Sequence, residues 1–78
     1  MLLKPLGPNM TQLVYGSNVI LFSYETPVAA FTEHSKYVRT NKKYSATTTK
    51  HINKWLNGAK AELVEQETIQ AMFSYYIH

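Results

Sequence analysis

The rhythm of hydrophobic and polar positions changes partway along this chain. Between residues 11 and 31 apolar residues come in short runs bounded by turn-formers, and after residue 47 they recur every three or four positions. The first rhythm belongs to strands and the second to helices. Thr11–Tyr15 and Asn18–Tyr24 are β-branched and aromatic runs separated by Gly16-Ser17. Glycine in a two-residue connection marks a hairpin, because it takes a positive φ at little cost. Within VILFSY at 19–24, Val19, Leu21 and Ser23 alternate with Ile20, Phe22 and Tyr24, and both sets are mostly apolar. That predicts a central strand covered on two sides. Pro27 lacks a donor and restrains its predecessor, so Glu25-Thr26-Pro27 breaks the run, and Val28–Phe31 predicts a third strand.

Glu33-His34-Ser35 reads as a polar turn. Tyr37–Thr40 and Lys43–Ser45 then flank Asn41-Lys42, which predicts a second, basic hairpin at a sheet edge, where lysines discourage stray pairing. The apolar stripe Ile52, Trp55, Leu56 predicts a helix, with Thr47 or Thr48 as its cap and Asn57-Gly58 as its stop. Trp55 is expected to be the largest core contributor, buried between helix and sheet. Ala59–Val64 is a bridge that an extended segment would suit. A second helix is expected from about Gln66 to Tyr76, with Ile69, Met72, Phe73 and Tyr76 as its buried stripe. Residues 1–10 have no periodicity and two prolines, so they read as an N-terminal arm pinned by Leu2, Leu3 or Leu6. The expected fold class is α+β: one domain over 11–78, with a small antiparallel sheet of three to five short strands followed by two short helices packed on one face.

Charge sharpens this picture. From Lys36 to Lys54 there are six basic residues and no acids, while the rest of the chain holds two basic and five acidic residues. The net charge of +3 therefore separates into +6 and −3. Such concentration attracts anionic partners. A chain of 78 residues allows one domain, and without cysteine it has neither disulfides nor thiolate metal ligands. The 45% hydrophobic fraction suits a folded domain. No run of about 18 apolar residues exists to span a membrane. The hydrophobic start is broken by Pro5, Gly7 and Pro8, so it is not expected to act as a signal sequence. A cytoplasmic protein is expected, in the host cytoplasm if it is phage-encoded.

YGSNVILFSYETPVAAF at 15–31, YVRT at 37–40 and KKYSATTTKHINKWL at 42–56 together resemble a small domain of unknown function found in phage and bacterial genomes. The likeness extends over about residues 11–72 and is most specific at Tyr44-Ser45 and TTTKHINKWL at 47–56. It implies a phage or mobile-element context and one compact domain. It implies no reaction and no functional residues.

His51, near Ser45, Thr47–Thr49 and Tyr44, invites a nucleophilic mechanism. That chemistry needs an orienting third group, and the acids lie elsewhere in the chain. A structural or surface role is the better reading, and no catalytic residue is assigned. His34, His51 and His78 match no metal-ligand spacing, so neither a metal nor another cofactor is expected. Arg39, Lys42, Lys43, Tyr44, Lys50 and Lys54 remain as the candidate contact face: cations for phosphates and rings for bases. The expected function is that of a non-enzymatic phage-type accessory protein binding nucleic acid. The alternative is a protein-interaction module, an inhibitor of a host system or a homodimer, using the apolar tail FSYYI at 73–77. A small basic RNase-type toxin using Arg39, Lys43, Tyr44 and His51 comes third.

Overall fold

The computed structural model of the chain describes residues 2–77, with side chains through residue 75. Six strands form one sheet in chain order: β1 (Leu2–Gly7), β2 (Met10–Tyr15), β3 (Asn18–Ser23), β4 (Thr26–Thr32), β5 (Lys36–Thr40) and β6 (Glu62–Val64). Two helices, α1 (Ala46–Leu56) and α2 (Gln66–Ile77), flank β6 in sequence. The first four pairings are antiparallel, whereas β5 and β6 run parallel. Parallel neighbours need a crossover connection, and α1 supplies it. The α+β class is therefore observed, with more strands than the sequence predicts.

Three expectations about the architecture are corrected, and two about single residues follow. Leu2–Gly7 pairs with β2 as an edge strand, where an arm was expected, and Pro5 is tolerated at such an edge. Residues 41–45 form no strand. The side of β5 where a returning strand would lie is taken by β6, and Asn41 N–H donates to the Val64 carbonyl at 2.8 Å. Lys42 and Lys43 therefore sit on a loop climbing to α1, and β5 is not an edge.

The third correction concerns the layers. The helices cover opposite faces of the sheet. Ile52 and Leu56 of α1 pack with Met10, Leu21, Val28 and Ala29, while Ile69 of α2 packs with Leu13, Ile20, Ala30 and Val38. A strand sends successive side chains to opposite faces, so Ile20 and Leu21 need separate covers. Val28 and Ala29 join the same cluster because the register shifts between Leu21 and Phe22: Leu21 pairs with Ala29 and Phe22 with Pro27. This bulge accommodates Pro27, which has no N–H to give the ladder. Gln66, buried at the start of α2, donates from Nε2 to the Pro27 carbonyl at 2.8 Å and so anchors that helix at the bulge.

Ser45, rather than Thr47 or Thr48, caps α1. Its backbone is extended (φ −133°), and its Oγ accepts from Thr48 N–H at 3.1 Å. At the other end Asn57 takes the left-handed conformation (φ 48°) as the C-cap, followed by Gly58 (φ 88°). Trp55 is half-buried rather than central. Its indole N–H donates to Gln12 Oε1 at 3.1 Å, and its ring meets Tyr37 edge-on with centroids 5.5 Å apart. An indole needs a polar partner when buried, which keeps this one at the margin of the core. Of the α2 stripe, Ile69 is fully buried and Met72 and Phe73 are half-buried, whereas the side chain of Tyr76 lies outside the described residues.

Two separately covered faces make a testable stability pattern. Ile52→Ala and Ile69→Ala, one per face, are each expected to cost about 2–5 kcal/mol in urea unfolding. A cost well under 1 kcal/mol for either would contradict the two-faced core. Native tryptophan emission is expected between the fully buried and fully exposed limits.

Candidate nucleic-acid interface

Strand β5 presents Tyr37 and Arg39 to the α1 face, as alternation requires. Loop 41–45 then rises beside the first turns of α1, with Thr40 Oγ1 accepting from Lys42 N–H at 3.1 Å. Between them lies a cleft of about 260 Å³ lined by Arg39, Lys42, Lys43, Tyr44, Thr48 and Thr49, among others. Four of the six residues predicted from sequence are thus brought together. Lys50 and Lys54 are exposed on α1 and do not line the cleft. Each stands about half a helical circuit from buried Ile52, so both project from the outer side of the helix.

Arg39 is half-buried, and its Nη1 donates to Asn53 Oδ1 at 3.2 Å, tying β5 to α1. Its Nε is buried with no hydrogen-bond partner among the described residues. The Lys42 ammonium lies over the Tyr44 ring, 5.2 Å from its centroid, within cation–π range. A cation and an exposed ring are therefore held together at the mouth of the cleft.

Behind α1, on the β3 side, is a group that sequence reasoning missed. Ser23 Oγ lies 2.9 Å from Thr48 Oγ1 and 2.8 Å from His51 Nδ1, and Ser45 Oγ donates to Thr48 Oγ1 at 3.3 Å. Ser23 and Thr48 are buried. One proton arrangement uses every hydroxyl hydrogen: Ser45 donates to Thr48, Thr48 to Ser23, and Ser23 to His51 Nδ1. The neutral imidazole then carries its proton on Nε2. Two signals in the sequence point this way. Ser23 shares a strand face with Leu21, and Thr48 and His51 are three residues apart on one side of a helix. The partners of the Ser23–His51 pair are hydroxyls rather than a carboxylate, and His51 is not among the residues lining the cationic cleft. Among the described residues no three His, Cys, Asp or Glu side chains converge as metal ligands, and no helix is long and apolar enough to cross a membrane.

With this geometry in place, comparison with known proteins identifies the class. Residues 1–71 match the profile of a family described as Family of unknown function (DUF8033), and the chain belongs to that family. The match includes β1. No curated protein and no solved structure shows significant similarity to the chain.

The hydroxyl chain yields its own prediction. Nitrogen chemical shifts of neutral His51 are expected to show the Nε2–H tautomer; the Nδ1–H form would reverse the assignment. Ser23→Ala leaves Thr48 and His51 short of a buried partner, so a loss of about 1–3 kcal/mol is expected in denaturant unfolding.

Proposed function

We propose that this chain is a non-enzymatic accessory module that binds nucleic acid through the surface formed by Arg39, Lys42, Lys43, Tyr44, Lys50 and Lys54. The observation that carries the reading is the cleft in which Arg39, Lys42 and Lys43 meet Tyr44, within a stretch that contains six cations and no acid. Cations answer phosphates, and a ring offers a stacking platform. The two outer lysines of α1 extend the positive field beyond the cleft. A phage-borne setting belongs to the same proposal and rests on the sequence resemblance alone.

A second reading, a protein partner or a second copy of the chain, is favoured by edge strand β1, where Leu2 and Leu3 are 61% and 64% exposed. Sedimentation velocity addresses the second-copy form directly, since edge pairing predicts a concentration-dependent dimer.

Fluorescence anisotropy with labelled RNA and DNA, over a salt series, tests the first reading. If roughly four phosphates of a single strand are contacted, log affinity is expected to fall against log salt with a slope near −3, from about −0.7 per contact. Replacing Lys42 and Lys43 together by glutamine is expected to weaken binding across sequences and to make the slope shallower by about 1.4. Absence of binding at low salt, or indifference to this double substitution, would remove nucleic acid as the partner of this surface.

A further inference from the structure

Tyr24 is held in a conformation that its sequence does not favour. It is the first of two residues joining β3 to β4, and its φ is +59°, whereas Glu25 has no positive φ. Two-residue hairpins with a positive φ only at the first position ordinarily place glycine there, as Gly16 does between β2 and β3. For a bulky side chain this conformation is an outlier. The turn is fixed by the rest of the fold: Tyr24 N–H donates to the Asn9 carbonyl at 2.7 Å, tying it to the neighbouring hairpin. The ring is only partly covered in return: Tyr24 is 52% exposed, with its centroid 6.1 Å from that of the His51 ring. Backbone strain of this kind clusters at functional positions.

The ring stands at the edge of a second depression, of about 330 Å³, on the other side of Tyr44 and Thr48 from the cationic cleft. Tyr24 and Tyr44 both line it, together with the hydroxyl-bearing residues Ser23, Thr26, Ser45 and Thr48. Two exposed aromatic rings lining one hollow suit a planar group that stacks. The volume falls at the lower end of the range for small-ligand sites, about 300–1,000 Å³. Because Tyr44 and Thr48 line both hollows, a strand whose phosphates follow the cleft has a route for one base into the second.

We propose that the depression between Tyr24 and Tyr44 receives one unpaired nucleobase, making the preferred ligand a single strand rather than a duplex. This inference rests on the nucleic-acid reading and deepens it. Phosphate contacts alone serve duplex and single strand alike, whereas a base in a pocket must leave its pair and its stack. Tyr24 supplies stacking area and discrimination, and Lys42, resting on Tyr44, keeps a cation beside the ring for the adjoining phosphate.

The test compares Tyr24→Gly with the unmodified chain, using a labelled single-stranded oligonucleotide and the duplex of equal length in low-salt anisotropy. Glycine relieves the strained turn, which offsets the entropy it adds to the unfolded chain, so the melting temperature is expected to stay level or rise. Affinity for the single strand is expected to fall roughly 5- to 150-fold, the factor corresponding to one lost base stack, while duplex binding stays unchanged. An oligonucleotide of abasic residues, probed on the unmodified chain, is expected to bind as weakly as the intact strand binds Tyr24→Gly. This arm does not depend on any variant folding. Equal single-strand affinity for the two proteins, or full affinity for the abasic strand, overturns the pocket. If binding persists in that case and still responds to the Lys42/Lys43 double substitution, the cationic surface stands without the pocket. If neither polymer binds the unmodified chain at low salt, both readings fall together.

Discussion

Ile20 and Leu21 are consecutive in β3, point to opposite faces of the sheet, and are both shut off from solvent. The remaining architecture follows from that double burial. A strand that is apolar on both sides needs a layer on each side, and the two helices of the described residues provide them. α1 takes the face of Leu21 as the crossover between parallel β5 and β6, and α2 leaves β6 to take the face of Ile20. Small residues at Ala29 and Ala30 let both layers approach β4 closely, and the bulge at Val28 accommodates the proline that opens that strand.

α1 joins this core to the proposed contact surface. One side of the helix inserts Ile52 and Leu56 into the core. Its first turns carry the hydroxyl chain from Ser45 through Thr48 to Ser23 and His51. Asn53, on the flank toward β5, holds the Arg39 guanidinium. The positions of Arg39, Tyr44 and the loop lysines are thus coupled to buried contacts rather than left to an independent surface loop. Thr48 belongs to both sides of this arrangement: its side chain is buried in the hydroxyl chain, and it lines the two hollows that Tyr44 separates. Rigid support of this kind lets a shallow site bind without first ordering its own side chains.

Much of the fold is legible in the residues themselves. Gly16-Ser17 specifies the β2–β3 hairpin, VILFS the central strand, and Ile52 with Leu56 the inward side of α1, because each of these signals is local: a turn conformation, a period of two, a period near 3.6. Asn57-Gly58 ends α1 where expected, although asparagine as well as glycine takes the left-handed conformation. The concentration of cations between residues 36 and 54 is likewise a property of the sequence, and its gathering of Arg39, Lys42, Lys43 and Tyr44 around one cleft follows from their nearness in the chain.

What the sequence left open depended on partners distant in the chain. The segment containing Lys42 and Lys43 has the composition of a hairpin, but β6, about twenty residues later, occupies the side of β5 that a returning strand would need. The apparent arm at the N-terminus becomes β1 because β2 offers a free edge. Trp55 moves to the margin because its N–H finds Gln12, 43 residues away. Ser23 meets Thr48 and His51 across separations of 25 and 28 residues, and Tyr24 becomes an exposed, strained ring only because Asn9 fixes its turn. Local periodicity and turn chemistry determined which segments are strands and helices. Which edge each strand found, which face each helix covered and which polar groups met were decided by long-range pairing, whose free energy no single segment carries.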